Sequence, residues 1–311
     1  VSAGEREVRK TARTSQDSGA DVRSSRDSAK NAGADAAPAA SGFTAGSGPD
    51  VVLIHGLGSR WQVFAPILDR LAQTHRVHAL DLPGFGAEPA DPGLRAGVAG
   101  LADWVTEWML ERGIHRPHIV GNSMGGAVAL ELARRGVAGR VTAFAPSGFG
   151  SRLERDYARV LLSAERDLAR GLPEQLERTL QSESARRILL APSYGRPTRV
   201  TPDVAIADMR ALAGAPAFDD LREALRREGP VAPNPRVPTV IVWGRRDLVL
   251  PFLTQARRAR RLYPHATHIA LGGAGHLPFS DAPDTCTAII AGTHPFVAGR
   301  APADPPTRKV P

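Results

Sequence analysis

The sequence is poor in the residues that several protein classes need. A single cysteine, Cys286, excludes an intrachain disulfide and any cysteine-based metal cluster. No apolar run approaches the roughly 20 residues of a spanning helix, so no membrane span is expected. Aromatic residues make up only 5% of the chain and do not alternate with basic ones, so the stacking platform used by single-stranded nucleic-acid binders is missing. The first twenty residues, VSAGEREVRKTARTSQDSGA, carry charges but no apolar segment of the secretory kind, which predicts a cytoplasmic protein. Lysine occurs three times, at Lys10, Lys30 and Lys309, among 40 basic residues; with abundant alanine this usage fits a GC-rich bacterial genome.

What is present describes a globular chain. Its 311 residues are 42% hydrophobic and 23% charged, enough for one large domain with a sizeable core, or for a core carrying an inserted lobe. The net charge of +8 favours anionic partners in principle. The arginines, however, fall in pairs such as Arg134 and Arg135, Arg186 and Arg187, Arg226 and Arg227, and Arg257 and Arg258, mostly mixed with acids on helix-like stretches. That arrangement reads as solvated helix faces, and no nucleic-acid partner is expected.

Residues 1–40 hold almost no large apolar side chain and read as a disordered tail; residues 299–311, with four prolines, read as a second flexible tail. Between them, short apolar runs alternate with helical patterns: VVLIH at 51–55, RVHAL at 76–80, HIVGN at 118–122, VTAFA at 141–145, TVIVW at 239–243 and THIAL at 267–271. Runs of this kind suit a mostly parallel, doubly wound α/β sheet covered on both faces. The intervening helices include WQVFAPILDRLAQ, LADWVTEWMLERG and MGGAVALELARRG, the last two closed by glycine. After Phe149 about ninety residues pass before the next strand, and they are helical in pattern, with Leu153, Tyr157, Val160 and Leu161 on one stripe and Leu172, Leu176 and Leu180 on another. The expected organisation is therefore a core at 41–149, a helical lid at 150–232 over the ligand crevice, and a second core segment at 233–298.

The segment Gly121-Asn122-Ser123-Met124-Gly125-Gly126 lies between a strand and a helix. In that context G-x-S-x-G is a sharp turn with Ser123 exposed at its tip. The bland alternative is a glycine-rich helix start that Ser123 merely caps. A serine hydroxyl needs a base, itself oriented by an acid. Downstream, Asp247 follows the strand ending at Trp243, and His276 follows THIALGGAG, in the chain order Ser, Asp, His that a nucleophile elbow uses.

Nine histidines compete for the role of base. His75, His78, His115, His118, His265 and His268 flank or occupy strands, and His294 has no motif around it. The spacings His75 with His78 and His265 with His268 lack a carboxylate or cysteine at useful distance, so no metal site is expected. His276 sits in a glycine-freed loop, Gly272-Gly273-Ala274-Gly275-His276, which can return the imidazole over the sheet. In His55-Gly56-Leu57-Gly58 the turn after a strand offers a backbone N–H at Leu57; with that of Met124 it makes a candidate oxyanion hole. His55 is read as a support of the turn. A dinucleotide fingerprint at Gly56-Leu57-Gly58 fails because Trp61 occupies the third glycine position.

Taken together, the H-G-L-G turn, Asp81-Leu82-Pro83-Gly84-Phe85-Gly86, the elbow at Ser123, W-G-x-x-D ending at Asp247 and G-H-x-P-F around His276 resemble the α/β-hydrolase fold superfamily over residues 48–298. The resemblance implies a triad hydrolase without cofactor, with Asp81 structural. Members normally begin with a β-hairpin, for which only Ala40 to Pro49, including Phe43, is available here. The elbow sequence is similar to those of carbon–carbon bond hydrolases of aromatic degradation, whereas His-Gly-Leu-Gly-Ser lacks their proline-containing form.

The expected function is hydrolysis of a small, largely apolar ester through an acyl-enzyme, with Trp61, Phe64, Leu153, Tyr157 and Leu161 as walls for the acyl group. Carbon–carbon cleavage, cofactor-free perhydrolysis, lactone opening and acyl transfer use the same residues on this fold, and a ligand-binding module that has kept only the pocket is the non-enzymatic alternative. An aspartate-nucleophile hydrolase is disfavoured by Ser123 at the elbow.

Overall fold

The side-chain alternation of the strands divides the molecule into two apolar layers. In the computed structural model, which describes residues 41–297, strand β2 (Asp50–Ile54) sends Val51 and Leu53 into one core and Val52 and Ile54 into the other. The same division recurs in β6 (Thr239–Gly244), where Val240 and Val242 face one way and Ile241 and Trp243 the other. A strand buried on both faces has to be apolar throughout, which is why these runs are legible as central strands.

Seven strands form the sheet. β1 (Gly42–Ala45) and β3 (Arg76–Leu80) lie on one side of β2; β4 (His118–Asn122), β5 (Arg140–Phe144), β6 and β7 (Thr267–Leu271) follow on the other, in the order β1-β3-β2-β4-β5-β6-β7. All neighbours are parallel except β1, which pairs antiparallel to β3 with Phe43 opposite Ala79. The first strand of the fold is thus present but only four residues long, at the edge of the sheet.

Helices α1 (Ala65–Ala72), the short α10 (Pro278–Asp281) and α11 (Pro283–Ala291) cover one face, and α2 (Val98–Glu111), α3 (Met124–Arg134) and α9 (Phe252–Leu262) the other. The segment WQVF of the first expected helix is a separate 3-10 turn, Trp61–Phe64, that leads into α1. Pro66 sits in the first turn of α1, where its missing N–H costs nothing.

Between β5 and β6 the chain forms α4 (Arg152–Gly171), α5 (Pro173–Leu180), α6 (Glu183–Leu189), α7 (Pro202–Gly214) and α8 (Phe218–Arg227). α4 starts on a capping box: the Ser151 hydroxyl accepts from Glu154 N–H at 3.3 Å, and the Glu154 carboxylate accepts from Ser151 N–H at 2.6 Å. Leu176, Leu180, Leu190, Tyr194, Val200 and Ala205 give this group a small core of its own.

The chain order reverses between β2 and β4, since β3 lies outside β2 and all later strands lie beyond β4. A crevice opens above the carboxyl ends of two such strands because their connections leave in opposite directions. The turns after β2 and β4 carry His55-Gly56-Leu57 and Ser123. Among the described residues no helix is long and apolar enough to cross a membrane. The expected tails at 1–40 and 299–311 lie outside the described residues.

Candidate active site

β4 ends at Asn122 and α3 begins at Met124, so Ser123 alone makes the turn, at φ 56° and ψ −117°. A side chain at positive φ is strained and persists only where the surroundings enforce it. Here the enforcement is steric. A Cβ at Gly121 would lie 2.0 Å from the Gly125 oxygen, and one at Gly125 would lie 2.2 Å from the Ile54 oxygen. Only glycines let α3 start this close to the end of β2. The Ser123 backbone is saturated as well, its N–H donating to Phe144 O at 2.9 Å and its carbonyl accepting from Ala127 N–H and Ser147 N–H at 3.1 and 3.0 Å.

His276 lines the same cavity as Ser123. Its Nδ1–H donates to Asp247 Oδ2 at 2.9 Å, while Asp247 Oδ1 accepts from Leu250 N–H at 2.8 Å. With Nδ1 taken up by the carboxylate, Nε2 is left as the basic nitrogen. Asp247 has no exposed side-chain surface and cannot swing to solvent. The loop that carries it is closed by the Trp243 indole N–H, which donates to Leu250 O at 2.9 Å.

Two residues that the motifs did not single out hold the His276 loop. Asn122 donates its side-chain amide to the His276 carbonyl at 3.0 Å. Asp281 is fully buried and accepts from Gly275 N–H and Gly195 N–H through Oδ2, both at 2.8 Å, and from Arg196 N–H through Oδ1 at 2.7 Å. It thereby ties the loop before His276 to the turn after α6.

In the turn after β2, His55 is fully buried; its Nδ1–H donates to Gly56 O at 2.8 Å and its Nε2 accepts from Leu82 N–H at 2.9 Å. One donor and one acceptor require the neutral ring, and burial holds its pKa below the usual histidine range despite the nearby Asp81. His55 therefore supports the turn, as expected. A Cβ on Gly56 would come 3.0 Å from Ser123 Cβ, which places this turn directly against Ser123. Leu57 lines the cavity beside Ser123 and Met124 follows Ser123 in the chain, and no protein group takes up either backbone N–H among the described residues.

The cavity above Ser123 is walled chiefly by Leu57, Leu162, Leu189, Leu190, Met209 and Leu212. Two carboxylates also face it. Burial pushes Glu165 up to about 7, against a smaller opposing effect of His276. Burial likewise raises Asp208, although Arg60 approaches it at 3.6 Å and the Tyr194 hydroxyl donates to it at 3.2 Å.

The five expected wall residues lie elsewhere. Trp61 stacks on Phe43 with ring centroids 5.6 Å apart, and Phe64 is buried edge-on against Phe279. Leu153 is 81% exposed and Tyr157 47% exposed on the outer side of α4, while Leu161 packs against the main core. α4 turns Leu162 and Glu165 toward the cavity instead. Among the described residues no group of three His, Cys, Asp or Glu is placed to hold a metal ion.

Known proteins share this architecture. The chain is 30% identical over 259 residues to the pimeloyl-(acyl-carrier protein) methyl ester esterase of Aeromonas hydrophila, covering 79% of this chain and 95% of that one. It is also 30% identical over 260 residues to the enzyme of the same name from Chromobacterium violaceum, covering 76% and 90%. Among solved structures, an esterase from Thermogutta terrifontis superposes with a TM-score of 0.61 at 23% identity, over 80% of this chain and 90% of that one. Residues 51–289 match the alpha/beta hydrolase family as a whole, and with the sheet order and the elbow described above this chain belongs to the alpha/beta hydrolase family.

Proposed function

We propose that the protein hydrolyses a carboxylic ester through an acyl-enzyme on Ser123. The observation that carries this reading is the placement of Ser123 and His276 on one cavity, with His276 Nδ1 held by Asp247 at 2.9 Å. His276 Nε2 accepts the hydroxyl proton as Ser123 Oγ attacks the ester carbonyl, and Asp247 stabilises the imidazolium that forms. The N–H groups of Leu57 and Met124 receive the developing oxyanion. His276 returns its proton to the departing alkoxide, and the same base then activates the water that cleaves the acyl-enzyme.

The cavity supports a substrate class. A largely apolar chamber that includes six leucines takes an apolar arm of the ester, and the relatives named for methyl esters of a pimeloyl group support an aliphatic ester. In this reading the helices from α4 to α8 act as the lid, which is supported by Leu162, Leu190 and Met209 lining the cavity together with Ser123. No cofactor enters any step.

Ser123→Ala reduces turnover of p-nitrophenyl butyrate to background if this reading holds, with the variant folded by circular dichroism. Undiminished turnover by that variant contradicts it. A ring-fission dienoic substrate tested beside the ester separates carbon–carbon cleavage from ester hydrolysis.

A further inference from the structure

A second chamber opens on the other side of Ser123. It lies between α4, α8 and α9 and shares Leu57, Ser123 and Leu162 with the leucine-lined cavity. Its lining is also mostly apolar, but its charged residues are of the opposite sign to Glu165 and Asp208. Arg155, Arg159, Arg222 and Arg226 line it, and no Asp or Glu does. Arg226 is paired with Asp156 and Glu223, and Arg222 with Asp219. Arg155 donates only to the carbonyls of Arg226 and Gly150, at 3.0 and 2.7 Å, and Arg159 has no acidic partner among the described residues. Two guanidinium charges on consecutive turns of α4 are therefore not neutralised by any acidic side chain among the described residues.

Buried polar groups at this chamber point the same way. Gln255 is only 1% exposed, yet among the described residues neither its amide nitrogen nor its oxygen has a hydrogen-bond partner, and the Ser147 hydroxyl is also buried without one. Both residues line the chamber. Buried amides and hydroxyls are normally satisfied, so an unpaired set beside uncompensated arginines marks a place for a ligand with several acceptor oxygens. Ser147 N–H bonds the Ser123 carbonyl at 3.0 Å, so this set lies close to the reacting centre.

We propose that the chamber between α4, α8 and α9 is a subsite for an anionic oxyacid group, carboxylate or phosphate, carried by the ester substrate on the side of Ser123 away from the leucine-lined cavity. Arg155 and Arg159 supply the charge, and the Gln255 amide and the Ser147 hydroxyl supply directed donors. The substrate is then an ester with one apolar arm and one anionic arm. This rests on the hydrolase reading and extends it to specificity.

The test compares the p-nitrophenyl hemiester of glutaric acid with neutral p-nitrophenyl valerate, and uses glutarate and inorganic phosphate as inhibitors of the neutral ester. The wild type is expected to prefer the hemiester in kcat/KM by about tenfold or more, the effect of one charge-assisted contact. Arg159→Gln and Gln255→Leu should each lower that ratio. Competitive inhibition by glutarate alone assigns a carboxylate, and by phosphate alone a phosphate. Hydrolysis of the neutral ester with no preference for the hemiester and no inhibition by either anion overturns the subsite while leaving the hydrolase intact. If neither ester is turned over, the hydrolase reading fails instead. The subsite is then decided by calorimetry of glutarate and phosphate on the full chain: binding weakened in Arg159→Gln supports it, and no binding contradicts it.

Discussion

Asn122, the residue immediately before Ser123, donates its side-chain amide to the carbonyl of His276 at 3.0 Å, and so fixes the His276 loop to the end of β4. The two residues are 154 positions apart in the chain. This bond controls position and touches no substrate, so its loss should appear in turnover rather than in binding. Asn122→Ala is expected to lower kcat about tenfold or more while changing KM little, in line with the loss of one buried hydrogen bond. Steady-state kinetics on a neutral aryl ester check this, and a change confined to KM contradicts it.

The elbow is held by close packing as much as by hydrogen bonds. Any Cβ at Gly125 meets the backbone oxygens of Ile54 and His55 at 2.2 and 2.4 Å, and neither backbone can retreat without breaking the sheet. Gly125→Ala should destabilise the fold by about 3 kcal/mol, the upper end for forced overpacking. Urea unfolding measures it. A variant as stable as the wild type would show that α3 can shift away from β2.

Glu165 gives the molecule a pH dependence of known sign. Burial raises its pKa from 4.5 to about 7, so the folded state holds a proton that the unfolded state has released. Its contribution is fully present below pH 4.5 and is lost as pH rises through 7. At 1.36 kcal/mol per pH unit the full shift corresponds to about 3 kcal/mol. Glu165→Gln, which cannot ionise, should therefore match the wild type at pH 4 and exceed it in stability at pH 8. Unfolding curves at the two pH values decide; a difference independent of pH contradicts the assignment.

Much of this was readable from sequence because the physics is local. Strands buried on both faces have to be apolar throughout, and Ser123 and Asp247 each follow such a strand in a turn, while His276 follows the edge strand β7 in a glycine-rich loop. Gly121 and Gly125 were legible for the same reason, since the turn itself demands them. The walls of the cavity were not. The stripe Leu153, Tyr157 and Val160 predicts a helix correctly, yet helical periodicity does not say which neighbour covers a stripe, and this one faces outward. The residues that do face the cavity, Glu165 and Asp208, are charged positions in amphipathic helices and look like surface until packing turns them inward. Gln255 and Asp281 became visible only through the buried bonds they make or leave unmade. β1 is so short that its role comes from pairing with β3 and not from its own four residues.

The central claim is that Ser123 is a nucleophile activated by His276, and reaction with a fluorophosphonate probe tests it most directly. Mass spectrometry of the labelled chain should find one adduct, on the peptide containing Ser123, and labelling should slow by orders of magnitude in His276→Ala. A folded wild-type protein that stays unlabelled at Ser123, or that labels equally fast without the imidazole, contradicts the account.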